Sequence, residues 1–451
     1  MMNRLAAFLK RQDIIDPDIT GKAAITFSFK VGALLLSFAV FLLLARHLGV
    51  EGFGVYVFVW GLIRVLTIFG KHGMDVAATR YAGAYYEAGH WRDLFLFQRR
   101  AALILAATSL TIACGGGFIV TVVPGLSDSL RMSFYAGFAL LPFWAGMAYI
   151  QALARVRKQM IAGMLPDSIL RHVIQLLLIA LVLALGMPMN APLAMGTALG
   201  GVIGAFCAGL GMTWRSGIWT RVQHVPTAVS DRPYDWLKYG MVMIVIGGSA
   251  VILRQIDVIM LGLLATAAET GAYGAATRIA NLATFALTAV RLVVAPRISG
   301  CYITGEMGRL QRLLCHSAAL VAVSSLGIVA VIWICAPWLL GILGGDFANA
   351  WAPLRVLLMA QLISALAGPV GFVLTMTDNQ RVASIIFLVT IGIDIALNAV
   401  LIPPFGIHGA AIATAIATVT WNSAMLVFAI WWLKLNPSLL ALLHRRSNAA
   451  T

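Results

Sequence analysis

The sequence predicts an all-α polytopic membrane protein with about twelve transmembrane helices in two six-helix lobes. Three observations carry this: a composition too apolar for a soluble surface, apolar runs near 20 residues from end to end, and a pattern that repeats at an offset of 217 residues. Of 451 residues, 61% are hydrophobic and 11% charged, against about 25% charged in soluble domains. Seventeen acidic and 32 basic residues cannot wet the surface of a soluble chain this long. Soluble enzymes, disordered chains and fibrous proteins are excluded. The net charge of +15 reads as the basic bias of cytoplasmic loops, with no nucleic-acid partner expected.

Residues 2–12 place Leu5, Phe8 and Leu9 between Arg4, Lys10 and Arg11. This predicts a short helix on the membrane surface, ended by Pro17. Asp13, Asp16 and Asp18 are wrong for a signal peptide. Twelve apolar spans follow, near 22–45, 54–70, 101–123, 132–153, 168–186, 192–213, 238–264, 272–295, 315–343, 352–376, 382–402 and 408–433. Each is about the length that crosses the hydrocarbon as a tilted helix. The organisation read from them is a cytoplasmic segment over 1–21, an N-terminal lobe over 22–214, a cytoplasmic linker over 215–237, a C-terminal lobe over 238–433 and a cytoplasmic tail over 434–451.

Charge tests this topology. With both termini in the cytoplasm, that side receives 24 of the 32 Lys and Arg; the other side receives Arg46, Arg131 and Arg355, and five lie inside spans. The bias has the sense of the positive-inside rule. No loop exceeds about 30 residues, which is too small for a catalytic domain. Gly21-Lys22 lacks the rest of a phosphate-binding loop, and no His-Glu-x-x-His motif occurs. The five cysteines have no metal-binding spacing. No enzymatic activity, cofactor or metal is expected; a membrane glycosyltransferase would need an acidic loop constellation that these loops lack.

The halves share one pattern. Gly54-x-Tyr56 matches Gly271-x-Tyr273, Ala78-x-Arg80 matches Ala295-x-Arg297, Gly83-x-Tyr85 matches Gly300-x-Tyr302, Arg92 matches Arg309, and Thr197-Ala198 matches Thr414-Ala415. A constant register predicts duplication of a six-span unit, with the two copies parallel and related by a pseudo-twofold along the membrane normal. Two such bundles with a cavity between them make a transporter. Gly196, Gly200, Gly204 and Ala208 in span 6 form a small-residue packing face.

Charges inside spans are costly and read first as functional. They are Lys30, Arg64, Arg254, Arg278 and Arg291, with the acids Asp257 and Asp394. Arg254 and Asp257 are three apart and could pair; Arg291 and Lys30 could instead reach the interface along their aliphatic stems. A cleft lined by Lys30, Arg64, Arg254, Arg278 and Arg291 would take an anionic head group, because guanidinium forks hold phosphate bidentately. Asp394, with Asn398 one turn on, would bind a coupling cation or proton or pair with an arginine, and Asp257 shares that role.

Several segments carry a family resemblance. Residues 48–56 (Leu-Gly-Val-Glu-Gly-Phe-Gly-Val-Tyr), 257–262 with 269–279, Pro296-Arg297-Ile298-Ser299, 344–350 and 403–411 resemble, in order and spacing, the polysaccharide exporters of the multidrug/oligosaccharidyl-lipid/polysaccharide superfamily. The resemblance implies a MATE-like fold and an O-antigen or exopolysaccharide flippase. Its substrate would be an undecaprenyl-diphosphate-linked oligosaccharide, moved between leaflets of a bacterial inner membrane by alternating access without ATP. Membrane lipids and a polysaccharide polymerase or chain-length regulator would be its partners. The peptidoglycan-precursor flippases of the superfamily are usually longer, with two extra C-terminal spans, so this chain is expected to lie apart from them. A cation-coupled multidrug exporter of the same superfamily and a membrane scaffold of a polysaccharide-synthesis complex are the alternatives.

Overall fold

The computed structural model describes residues 17–215 and 233–439. The surface helix expected over 2–12, most of the 215–237 linker and the last part of the tail lie outside the described residues. Among those residues nine helices are long and apolar enough to cross a membrane.

Helix α1 (Pro17–Gly70) carries spans 1 and 2. It folds back at Gly49, whose φ of 65° breaks the helix, so Phe41 and Phe53 meet with ring centroids 5.6 Å apart. A short broken helix over 74–87 leads into α2 (Trp91–Val122). Then come α3 (Asp128–Val156), α4 (Met160–Ala184) and α5 (Ala191–Arg215). These complete the first half.

The second half has the same order with more breaks. Span 7 divides into α6 (Pro233–Leu253) and α7 (Ile256–Leu264). Span 8 divides into α8 (Ala267–Ala280) and α9 (Phe285–Ile303), joined by a 3-10 turn at Asn281–Thr284. Span 9 is α10 (Met307–Leu343), and span 10 is α11 (Trp351–Ala367) with α12 (Val370–Met376). Helix α13 (Gln380–Trp431) carries spans 11 and 12 and folds back at Gly406 after Pro403 and Pro404. A proline inside a helix removes a hydrogen bond and clashes with the preceding turn, which fixes the corner there. Counting both arms of α1 and α13, and joining the divided pairs, the helices follow the twelve expected spans in order.

Packing separates the halves. Helix α3 lies against α1, α2 and α5, and α4 against α5. In the second half α13 lies against α6, α7, α11 and α12, and α10 against α9 and α11. The small-residue face of α5 brings α4 close: a Cβ on Gly200 would strike Leu178, one on Gly204 would strike Ile174, and one on Gly201 the Arg171 carbonyl. The expected packing role holds for Gly200 and Gly204, whereas Gly196 has no neighbour within 4 Å.

Contact between the halves runs chiefly through α1 against α8 and α7. At the end carrying the Gly49 corner, Gly54 and Gly271 bring two backbones together. Phe53 packs edge-on against Phe347 beside them, centroids 6.1 Å apart. At the opposite end α6 lies against the first half: Phe97 and Trp236 are 5.0 Å apart, and the Arg80 guanidinium sits 4.6 Å over the Tyr239 ring. This arginine–aromatic contact is a cation–π pair.

Candidate functional site

Two helical faces build the seam. Gly54, Val57, Gly61 and Arg64 recur at helical spacing on the second arm of α1, so they share one face. Gly271, Gly274, Arg278 and Asn281 do the same from α8 onward. Helix α8 starts in a set register because Thr266 and Glu269 form a reciprocal cap: the Glu269 amide donates to Thr266 Oγ1 (3.2 Å), and the Thr266 amide to Glu269 Oε2 (3.1 Å). Glycines close the seam near the corner, and arginines open it deeper. Arg278 lies about 10 Å of helix beyond Gly271, and Arg64 about 15 Å beyond Gly54.

Between them is a cavity of about 110 Å³. That is room for a few waters or one small head group. Arg64 and Arg171 reach it from the first half, Arg254 and Arg278 from the second. Among the described residues no carboxylate pairs with Arg64, Arg254 or Arg278. Arg254 and Arg278 are exposed, and Arg64 is half-buried. Arg254 stands in the break between α6 and α7, where the C-terminal carbonyls of α6 favour a cation. The break also explains why Arg254 and Asp257 do not pair: three residues apart, they do not share a continuous helix.

Lys30 does not line the cavity. It is exposed two turns before the cavity residue Ser37, on the same helical face, and so stands toward the end opposite the Gly49 corner. The side chain of Arg291 lies outside the described residues. One cavity residue escaped sequence reasoning. Arg171 falls at the very start of the span expected over 168–186 and counts among the cytoplasmic cations of the charge tally; the helix instead begins at Met160, so Arg171 stands about 16 Å inside it. A π-turn over Pro166–Leu170 precedes it and re-aims the side chains that follow. The available signal was Asp167 four residues ahead of Arg171: Arg171 Nε donates to Asp167 Oδ1 at 2.9 Å.

The wall made by α1 and α4 differs in chemistry. Tyr56 and Trp60 stack with centroids 6.0 Å apart, Trp60 meets Trp144 at 4.9 Å, and the Arg171 guanidinium lies 5.9 Å from the Trp60 ring. His172 and Gln175 stand beside them, both buried. His172 Nδ1 faces the Ser168 carbonyl and Nε2 faces Arg171, so its partners select the Nδ1–H tautomer. Trp60 Nε1 is a buried donor with no acceptor among the described residues, whereas the Gln175 amide lies within hydrogen-bonding reach of the Tyr56 hydroxyl. A buried donor costs about 1–3 kcal/mol while unpaired.

A second cavity, about 310 Å³, lies within the second half and shares Arg254, Thr277 and Asn281 with the first. Its polar centre is the expected acid pair. Asn398 Nδ2 donates to Asp257 Oδ1 (2.9 Å), Asp394 Oδ1 (3.1 Å) and the Asp394 carbonyl (2.9 Å). All three residues are at most 5% exposed. Asn398 Oδ1 has no partner among the described residues, and the Asp257 and Asp394 carboxyl groups stand within hydrogen-bonding reach of each other. Thr414, whose hydroxyl is 2.6 Å from that of Tyr273, also lines this cavity. Two buried carboxyl groups joined by one amide call for a positive charge between them, a proton or a cation. No group of three or more His, Cys, Asp or Glu that could hold a metal ion occurs among the described residues.

Paired helical halves, a central cationic cavity and a side cavity with two acids define a polytopic membrane protein of transporter architecture. The chain belongs to the polysaccharide biosynthesis protein family, which matches residues 19–301; residues 245–400 also match the MatE family. It is 27% identical over 213 residues to the probable flippase AglR of Haloferax volcanii, a match over 44% of this chain and 41% of that protein. The chain thus spans about two fifths of the length of that curated relative. Its fold is similar to an inward-facing multidrug resistance MATE family transporter of the MOP superfamily, with a TM-score of 0.71 and 12% identity over 88% of this chain and 93% of the other. It is similar also to the lipid II flippase MurJ in an inward closed conformation, with a TM-score of 0.70 and 12% identity over 89% and 87%.

Proposed function

We propose that this protein is a flippase that carries a polyprenyl-diphosphate-linked oligosaccharide, an O-antigen or exopolysaccharide repeat unit on undecaprenyl diphosphate, from the inner to the outer leaflet of a bacterial inner membrane. One observation carries the reading: Arg64 from one half and Arg254 and Arg278 from the other line one cavity with no carboxylate partner among the described residues. Unpaired cations at a seam inside an apolar bundle ask for an anion. Guanidinium groups on both sides suit a diphosphate, which has enough oxygens for several forks.

The lobes over 22–214 and 238–433 rock about the Gly54–Gly271 contact, with both termini cytoplasmic. The cavity is too small here for a glycan, so loading requires the Arg80–Tyr239 and Phe97–Trp236 contacts at the opposite end to part. Lys30, toward that end, meets the head group first. The prenyl tail stays in lipid throughout. A proton or monovalent cation at Asp257 and Asp394 resets the cycle through the Arg254 break that both cavities share. A cationic drug fits this cavity badly, which disfavours the multidrug alternative.

The test is the lipid-linked oligosaccharide pool of cells depleted of the protein, assayed by leaflet with a membrane-impermeant glycan probe. Accumulation facing the cytoplasm with loss of surface polysaccharide is expected. An unchanged pool with unchanged surface glycan overturns the reading.

A further inference from the structure

The cavity has two walls of different chemistry, and the diphosphate uses only one. Among the described residues Arg64, Arg254 and Arg278 have no carboxylate partner. The other wall is charge-balanced, because Arg171 is paired with Asp167 at 2.9 Å, and its unmet group is a neutral donor. Trp60 is 8% exposed, and among the described residues its indole Nε1 has no acceptor; Gln175, 2% exposed, lies within hydrogen-bonding reach of the Tyr56 hydroxyl. The faces of the Trp60 ring are already taken by Tyr56, Trp144 and the Arg171 guanidinium. This stack leaves no face free for a sugar and holds the ring fixed, with its N–H edge as the remaining functional group. Indole N–H donates only, so the missing partner is an acceptor.

We propose that Trp60 and Gln175 recognise a neutral acceptor on the sugar joined to the diphosphate, the carbonyl of a 2-acetamido group. This rests on the flippase reading above and names a sugar class for the same cavity. Neutral donors beside an already neutralised arginine suit an amide carbonyl better than a carboxylate, which would gain more from the cationic wall. Spacing agrees. Trp60 lies one turn from Arg64, about 6 Å along the helix, and a 2-acetamido group stands on the carbon next to the one that bears the phosphate. In the closed arrangement both donors are buried. Parting of the lobes brings the substituent to them, and binding gives the Trp60 indole the acceptor it lacks.

The experiment uses the full chain in proteoliposomes with two synthetic polyprenyl-diphosphate disaccharides. The lipids are identical except for 2-acetamido or 2-hydroxyl on the first sugar, and an impermeant glycan probe reads the leaflet. The wild-type protein is expected to move the acetamido lipid about tenfold faster, the scale of one well-made buried hydrogen bond. Trp60→Phe keeps the ring and removes the donor; Gln175→Met keeps the length and removes the amide. Each is expected to bring the ratio of the two rates toward one. A wild-type ratio near one overturns the proposal and leaves the flippase reading standing. Variants that slow both lipids in proportion, keeping the ratio, also overturn it, because the donors are then structural. If neither lipid moves, the flippase reading fails and the sugar site with it.

Discussion

Gly54 and Gly271, which occupy the same position in the two halves at the 217-residue offset, face each other across the seam. A Cβ on Gly54 would strike the Ala267 carbonyl, and one on Gly271 would strike the Val50 carbonyl. One turn deeper the next equivalent pair, Val57 and Gly274, also meets. Equivalent residues touch each other only where the axis relating the copies passes between them. The pseudo-twofold therefore runs through this seam, where the two backbones meet.

A side chain at either glycine should hold the corner end open. Gly54→Ala and Gly271→Ala are expected to lower transport at least tenfold while the protein still inserts. Gly83→Ala and Gly300→Ala are the controls: they too are repeat equivalents, but neither glycine has a neighbour within 4 Å. Leaflet assays on the four variants decide it. Transport that survives at the seam would show that closure does not depend on this contact.

The arginines should not be interchangeable with lysine. Arg64→Ala, Arg254→Ala and Arg278→Ala each remove a cavity cation and are expected to reduce export severely. The lysine variants keep the charge and lose the planar fork, so an intermediate loss is expected. If lysine restores full export at all three positions, the cavity acts as a diffuse positive field and bidentate phosphate contacts are not needed.

At the opposite end the clasp is aromatic. Phe97 is fully buried and packs against Trp236, Tyr81 and Tyr85. Phe97→Ala is expected to cost about 3–5 kcal/mol of stability, read as a lower apparent unfolding temperature in detergent. Trp236→Ala removes the other side of the same contact. The double variant should therefore lose less than the sum of the two single losses. Strict additivity would mean that the rings do not act as a unit.

Spans, order and the repeat were legible because apolar length and register are properties of the chain itself. Breaks were not. Divisions at Arg254–Gln255, Asn281–Thr284 and Gly368–Pro369 interrupt apolar runs only briefly, and hydropathy averages over them. Arg64, Arg254 and Arg278 stood out because charge in an apolar run is rare. Arg171 did not, because its position depends on where α4 begins and on a π-turn that no periodicity signals. The donor wall was also invisible, since Trp60 becomes notable only when its unpaired nitrogen is seen. The repeat is broken at the candidate site: at the 217 offset Arg278 answers to Gly61, Arg64 to Asn281 and Asp257 to Val40.

That last asymmetry places the acid pair in one lobe only, and it yields the coupling prediction. Asp257 and Asp394 share the Asn398 amide, so adding or removing one positive charge there changes the attraction between span 7 and span 11. The span-7 segment that bears Asp257 begins at the break occupied by Arg254, and both cavities include that arginine. Charge at the acids and anion at the arginines thus act on one joint. In proteoliposomes, wild-type flipping is expected to accelerate under an imposed proton or sodium gradient. Asp257→Asn and Asp394→Asn keep the size and much of the hydrogen bonding but lose the charge, and both should abolish the response to the gradient. Asn398→Ala should weaken it as well, by leaving the two carboxyl groups unbridged. A gradient response that persists in both aspartate variants would place coupling elsewhere in the protein and leave the acid pair as a structural link between the two spans.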